Sequence, residues 1–171
     1  TISLMMLDVL SAVPEIQVET CSMNTRAIVI ALCGVVAMLS TGSAVARNDL
    51  VRLKIADAMS TPDAVRMLDR NIKFYFGDAA HPAVERSIGV FPSNQKANGF
   101  GHADHSACQR AFLSAMLSLQ ARAVQEGGNA VIKITSYYKR NVFSSTSEFE
   151  CGAGALMVGV ALRGEVVKLK N

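Results

Sequence analysis

The chain has 171 residues, half of them hydrophobic but only 6% aromatic, with no tryptophan and a net charge of +3. That length fits one domain, and the lack of internal repeats and low-complexity tracts excludes solenoids and compositionally biased polymers. The cations are scattered. After residue 46 the sole adjacent pair is Lys139-Arg140, whereas nucleic-acid binders gather positive charge on one helix or stripe, so no nucleic-acid partner is expected.

Residues 23–46 have the pattern of a secretory signal peptide. A basic start (Met23-Asn24-Thr25-Arg26) precedes an apolar run over residues 27–39, and small residues follow to an A-x-A cleavage site ending at Ala46. The run of 13 residues is shorter than the roughly 20 a spanning helix needs. Cys33 lies mid-run behind Leu32, which is wrong for lipoprotein processing. A buried core helix would not account for the basic start or the small-residue exit. Residues 1–22 precede Met23 without an amphipathic pattern, and a start assigned too far upstream is expected there. The working protein is then residues 47–171, a single domain with no membrane span, carrying 16 Lys/Arg against 11 Asp/Glu.

Of the four cysteines, Cys21 and Cys33 fall before the cleavage site, leaving Cys108 and Cys151. An even count in an exported chain implies a disulfide. Closing that loop would stabilise by roughly 4 kcal/mol in the chain-entropy model. No C-x-x-C is present, so thioredoxin-type redox chemistry has no support.

Residues 47–59 predict a strand and then a turn of helix. Thr61-Pro62-Asp63 reads as an N-cap followed by proline in the first turn, opening a short helix over 62–69 that turns Val65 and Leu68 to the core. The aromatic and β-branched run 72–76 predicts a strand closed by Gly77. After the His81-Pro82 break, residues 84–91 predict a second strand stopped by Pro92. Residues 93–103 are rich in Gly and Asn and read as a loop. Asp104 is expected to cap the main helix over 105–126. There Cys108, Phe112, Met116, Leu119 and Ala123 recur at steps of three and four beside Ala111 and Ala115, giving one apolar face. Gly127-Gly128 supplies the left-handed cap. Residues 130–138 alternate as a strand, with Val131, Lys133, Thr135 and Tyr137 opposite Ala130, Ile132, Ile134 and Ser136. After a polar connection over 139–147, residues 148–162 predict one long strand. Its Gly152, Gly154 and Gly159 would leave room for the helix above. Arg163-Gly164 would bend the chain before a last short strand over 166–170. The expected fold is α+β: a single mixed sheet of four to six strands, one long amphipathic helix packed on one face, and one disulfide.

The segments 107–112 (ACQRAF), 126–131 (EGGNAV), 136–139 (SYYK) and 150–155 (ECGAGA) together resemble a group of small exported proteobacterial proteins often labelled excinuclease ATPase subunits. The resemblance spans residues 50–169. More distantly, the Gly-Asn-Ala-Val run after a helix, with a cysteine-started last strand, is similar to the RcsF and YbjQ-like α+β fold. In RcsF a cysteine near the helix start is bridged to one near the last strand, so the resemblance implies the Cys108–Cys151 pairing. This chain lacks the lipid signal and second bridge of RcsF, so the sensing role does not carry over. The YbjQ likeness implies self-association. The ATPase label fails on chemistry, because a phosphate loop of the form G-x-x-x-x-G-K-[ST] is absent.

No catalytic residue and no cofactor is expected. Tyr137, Tyr138, Lys139 and Arg140 place aromatic and cationic groups together at a strand end, a partner surface rather than a catalytic set. His102 and His105, six and three residues before Cys108, are the candidate metal ligands; oxidation of the cysteine would remove its donor strength. Glu148 and Glu150 share a strand face but read as a solvated edge. No serine lies in a G-x-S-x-G nucleophile elbow. The expected function is a non-enzymatic periplasmic or secreted module, binding an envelope protein or cell-surface component through residues 93–103 and 139–147. A periplasmic metal-binding protein is the alternative.

Overall fold

The structure, a computed structural model, describes residues 48–170. The expected upstream extension, the signal peptide with its cleavage at Ala46, Cys21 and Cys33 all lie outside the described residues. The elements are β1 (Asn48–Lys54), α1 (Ile55–Met59), α2 (Pro62–Met67), β2 (Lys73–Phe76), β3 (Val84–Asn98), α3 (Asp104–Gln125), β4 (Ala130–Ser136), β5 (Glu148–Gly154) and β6 (Met157–Leu169). A short 3-10 turn, Tyr138–Arg140, follows β4. Among the described residues the fold is α+β, with one mixed sheet of six strands and three helices, two of them short.

β6 organises the sheet. One of its edges pairs with β3 along almost the whole length, from Val84↔Leu169 to Asn98↔Met157. Its other edge is shared: β5 takes the first part (Gly152↔Gly159, Ala153↔Val158) and β4 the second (Ala130↔Val167 to Ser136↔Leu162). β5 then diverges to pair with β1, and β4 pairs in parallel with β2. Because two strands compete for one edge, the sheet forks and curls into a half-barrel.

The long helix forms where its apolar spacing places it, and all seven residues of the expected face are buried, joined by Ala107 and Leu113. Its C-terminus closes in a Schellman motif: Gly128 N–H donates to Ala123 O and Gly127 N–H to Val124 O, with Gly127 at φ +70°. Asp104 is the first helical residue rather than the cap, and Ala103 holds the cap position without a side-chain hydrogen bond. In α2, Thr61 Oγ1 does accept from Ala64 N–H at 3.3 Å. The core side of this helix carries Ala64, and Leu68 at its C-cap packs partly buried against the core as expected, while Val65, one position round the helix, is 57% exposed.

The main core joins Phe112, Met116 and Leu119 of α3 to Phe149 and Cys151 of β5 and Val158, Val160 and Leu162 of β6. Phe112 lies between Phe76 and Phe149, with ring centroids at 6.0 and 4.3 Å. The expected disulfide links Cys108 to Cys151, with Cα atoms 6.0 Å apart and both residues fully buried. It ties α3 to the middle of β5.

Four strand-level expectations change. Pro92 does not end β3, which continues to Asn98; among the described residues β3 pairs only with β6, and an edge strand tolerates a proline whose nitrogen faces the open side. The expected single strand over 148–162 is a hairpin, β5 and β6, turning at Ala155-Leu156. Residues Arg163 and Gly164 continue β6 without a bend: a Cβ on Gly164 would stand 2.5 Å from Val131 Cγ1, so the glycine serves close packing. In β4, Lys133 adopts φ +50° and the register shifts between Ile132 and Thr135, a bulge. Val131 and Ile134 therefore share the helix side, while Ile132 joins a second small cluster with Ala130, Val167, Leu169 and Tyr75.

Candidate binding groove on the open face of the sheet

Alternation along β5 and β6 divides their residues between two faces. Cys151, Ala153, Val158 and Val160 belong to the helix-side core. Gly152, Gly154, Gly159 and Ala161 therefore face the other way, and they form the floor of a groove of about 530 Å³. Four small residues at alternating positions of two paired strands keep long side chains off this part of the sheet. The floor is flat for that reason.

One wall comes from the chain after β4. Tyr137 N–H donates to Ala161 O at 2.8 Å, anchoring the segment on β6. The 3-10 turn is then held by Asn141 N–H donating to Tyr138 O, with Lys139 at φ +50° and Arg140 at φ +66°. This turn brings Tyr137, Tyr138, Lys139 and Arg140 to the groove. Tyr138 lies directly over Gly152, where any Cβ would collide with its ring and hydroxyl. The room that Gly152 leaves is thus taken by Tyr138 and not by the helix, and nothing approaches a Cβ on Gly159 closer than 3.8 Å. The other wall is the β3 edge, with Asn94 and Lys96 opposite Ala161 and Gly159.

The electrostatics are one-sided. Lys96, Lys139 and Arg140 line the groove, and among the described residues no carboxylate, histidine or cysteine lines it. Elsewhere two guanidinium groups rest on aromatic faces: Arg163 lies 4.9 Å from the ring centre of Tyr137, and Arg52, paired with Glu150, lies 4.3 Å from that of Phe143. Lys139 Nζ stands 5.5 Å from the Tyr138 ring centre.

The four residues proposed from sequence as a partner surface thus stand together. Part of the stretch 93–103 stands with them, though as strand rather than loop: residues 93–98 belong to β3. The rest of the 139–147 connection lies away from the groove; Phe143 bridges back to Ser136, and Ser145 Oγ accepts from Glu148 N–H. Glu150 is not a solvated edge residue. It is buried, accepts from Arg52 Nη2 at 3.2 Å, and its backbone N–H donates to Ser136 Oγ.

The metal set does not assemble. His102 and His105 are exposed, Cys108 is consumed by the disulfide, and among the described residues no three His, Cys, Asp or Glu side chains are grouped to hold a metal ion. What the sequence did not reveal is the glycine floor, because Gly152, Gly154 and Gly159 look alike whichever face they open on. The signal available was the alternation itself: Cys151 on the core side forces Gly152 to the other.

No protein-family model, no curated protein and no solved structure matches this chain. Among the described residues no helix is long and apolar enough to cross a membrane.

Proposed function

We propose that this domain is a non-enzymatic binding module of the periplasm or of the secreted fraction, engaging an envelope protein or cell-surface component through the open-face groove. The observation that carries this reading is the convergence of Tyr137, Tyr138, Lys139 and Arg140 with Lys96 over a floor of glycine and alanine. Aromatic walls with cations suit recognition, and among the described residues no carboxylate, histidine or thiol stands in the lining to pair with Ser93 as a nucleophile–base couple. The buried Cys108–Cys151 bridge supports an oxidising compartment, in line with the signal-peptide pattern at residues 23–46. The likeness to the small exported proteins and to the RcsF and YbjQ-like fold belongs to the same proposal.

The test is a pull-down from envelope extract with the wild-type protein and the pair Lys139→Glu/Arg140→Glu. A component retained by the wild type and lost by the variant is expected. If every retained component binds both proteins equally, the groove is not the site.

A further inference from the structure

The groove does not end in polar solvent. At one end β3 and β6 finish together, Asn98 opposite Met157, and the loop after β3 is fastened to the β5–β6 turn by Gly99 N–H donating to Leu156 O at 2.9 Å. The two turns therefore form one tip. On it Phe100, Leu156 and Met157 are 69%, 62% and 47% exposed. Soluble surfaces carry scattered apolar residues, but three large ones on one joined tip are a patch.

The tip is rigidly based. Arg110 of α3 donates to Asn98 O at 3.0 Å and Phe100 N–H donates to Asn98 Oδ1 at 3.0 Å. Met157 belongs to the tip and also lines the groove, so apolar patch and cationic trough are continuous. Lys96 pairs with Gly159, two positions in from the Asn98–Met157 pair, and Lys139 and Arg140 stand across the floor.

We infer that tip and groove form one docking surface for an anionic lipid bilayer. Phe100, Leu156 and Met157 enter the boundary between headgroups and acyl chains, while Lys96, Lys139 and Arg140 take headgroup phosphates. The argument is charge complementarity: among the described residues the groove lining holds three cations and no carboxylate, and its mouth carries the apolar groups that an interfacial contact buries. A soluble anion would use the cations but leave the tip idle; an apolar peptide would use the tip but leave three charges unmatched. A surface that is anionic and apolar within one side-chain length satisfies both. The inference rests on the groove being the binding site, as proposed above, and names the surface it meets.

The experiment is co-flotation of the purified, envelope-processed protein with vesicles of phosphatidylcholine alone and of phosphatidylcholine with phosphatidylglycerol. Binding only to the anionic vesicles is expected, weakened as salt rises from about 0.1 M to about 0.5 M because exposed charges are screened. Lys139→Glu/Arg140→Glu should lower the partition by about tenfold or more, at roughly 1 kcal/mol per cation near the surface. Phe100→Ser/Leu156→Ser should lower it comparably with the charge intact, and both variants should keep the wild-type melting curve and the oxidised disulfide. Equal binding to neutral and anionic vesicles, or no effect of either variant, overturns the inference. So does binding to soluble polyglutamate that the tip variant leaves unchanged, since that assigns the groove to acidic peptides. If vesicles are not bound yet the envelope pull-down remains groove-dependent, the bilayer inference falls and the binding module stands.

Discussion

Cys151 and Gly152 are neighbours in β5, yet they belong to surfaces built on opposite principles. On the helix side the sheet is filled: Phe112, Phe149, Met116 and Leu119 interlock and a disulfide fixes the helix to the strand. On the other side, over the first half of β6, side chains are withheld, and glycine and alanine leave a trough between tyrosines and cations. The same strands supply both. One face is spent on stability, which frees the other to be concave.

That contrast is exposed most strongly by removing the bridge. Cys108→Ser/Cys151→Ser should lose roughly 4 kcal/mol of unfolding free energy in urea titration, the loop-closure term for a sequence separation of 43. A loss below about 1 kcal/mol would mean that α3 docks on β5 without covalent help, and that the filled face owes little to the bridge.

The open face responds differently. Gly152→Ala should cost about 1–3 kcal/mol by overpacking, since the new Cβ meets the Tyr138 ring. Because the obstacle is one side chain, Tyr138→Ala in the same protein should recover most of that cost, a coupling readable from a double-mutant cycle. Independent, additive effects would place the strain elsewhere. At the edge between the faces, Arg52→Ala should cost about 1–3 kcal/mol by leaving the buried Glu150 carboxylate without its partner, and adding Glu150→Gln should return part of the loss. The smallest effect is a gain. Lys133 sits at φ +50°, where a Cβ is strained, so Lys133→Gly should raise stability by about 0.5 kcal/mol after its own backbone entropy is counted. A loss there would indicate that the Lys133–Glu165 pair at 3.6 Å outweighs the strain.

The filled face was legible in the sequence because its signals are periodic. The three- and four-residue spacing from Cys108 to Ala123, the Gly127-Gly128 stop and the cysteine pair each carry their meaning locally, and the structure agrees with all three. The open face was legible only in its cationic and aromatic residues. Its strands were misread where a local signal depends on distant context. Pro92 ends a central strand but not an edge strand, and nothing in residues 84–98 says which this is. The turn at Ala155-Leu156 lacks the Asn-Gly or Asp-Gly chemistry of a two-residue hairpin, so an apolar tip passed for strand interior. The bulge at Lys133 puts a lysine in the left-handed region, where Gly, Asn or Asp is the usual occupant, and it moves Ile134 to the face opposite Ile132.

The most direct test of the open face as the binding face is a photo-crosslinking amino acid at Gly159 in the living cell, with a second probe at exposed Val124 on α3. A Cβ at Gly159 meets no atom closer than 3.8 Å. The account predicts a specific adduct from position 159, abolished by Lys139→Glu/Arg140→Glu, and none from 124. Adducts of equal yield from both positions, or none from 159, would contradict it.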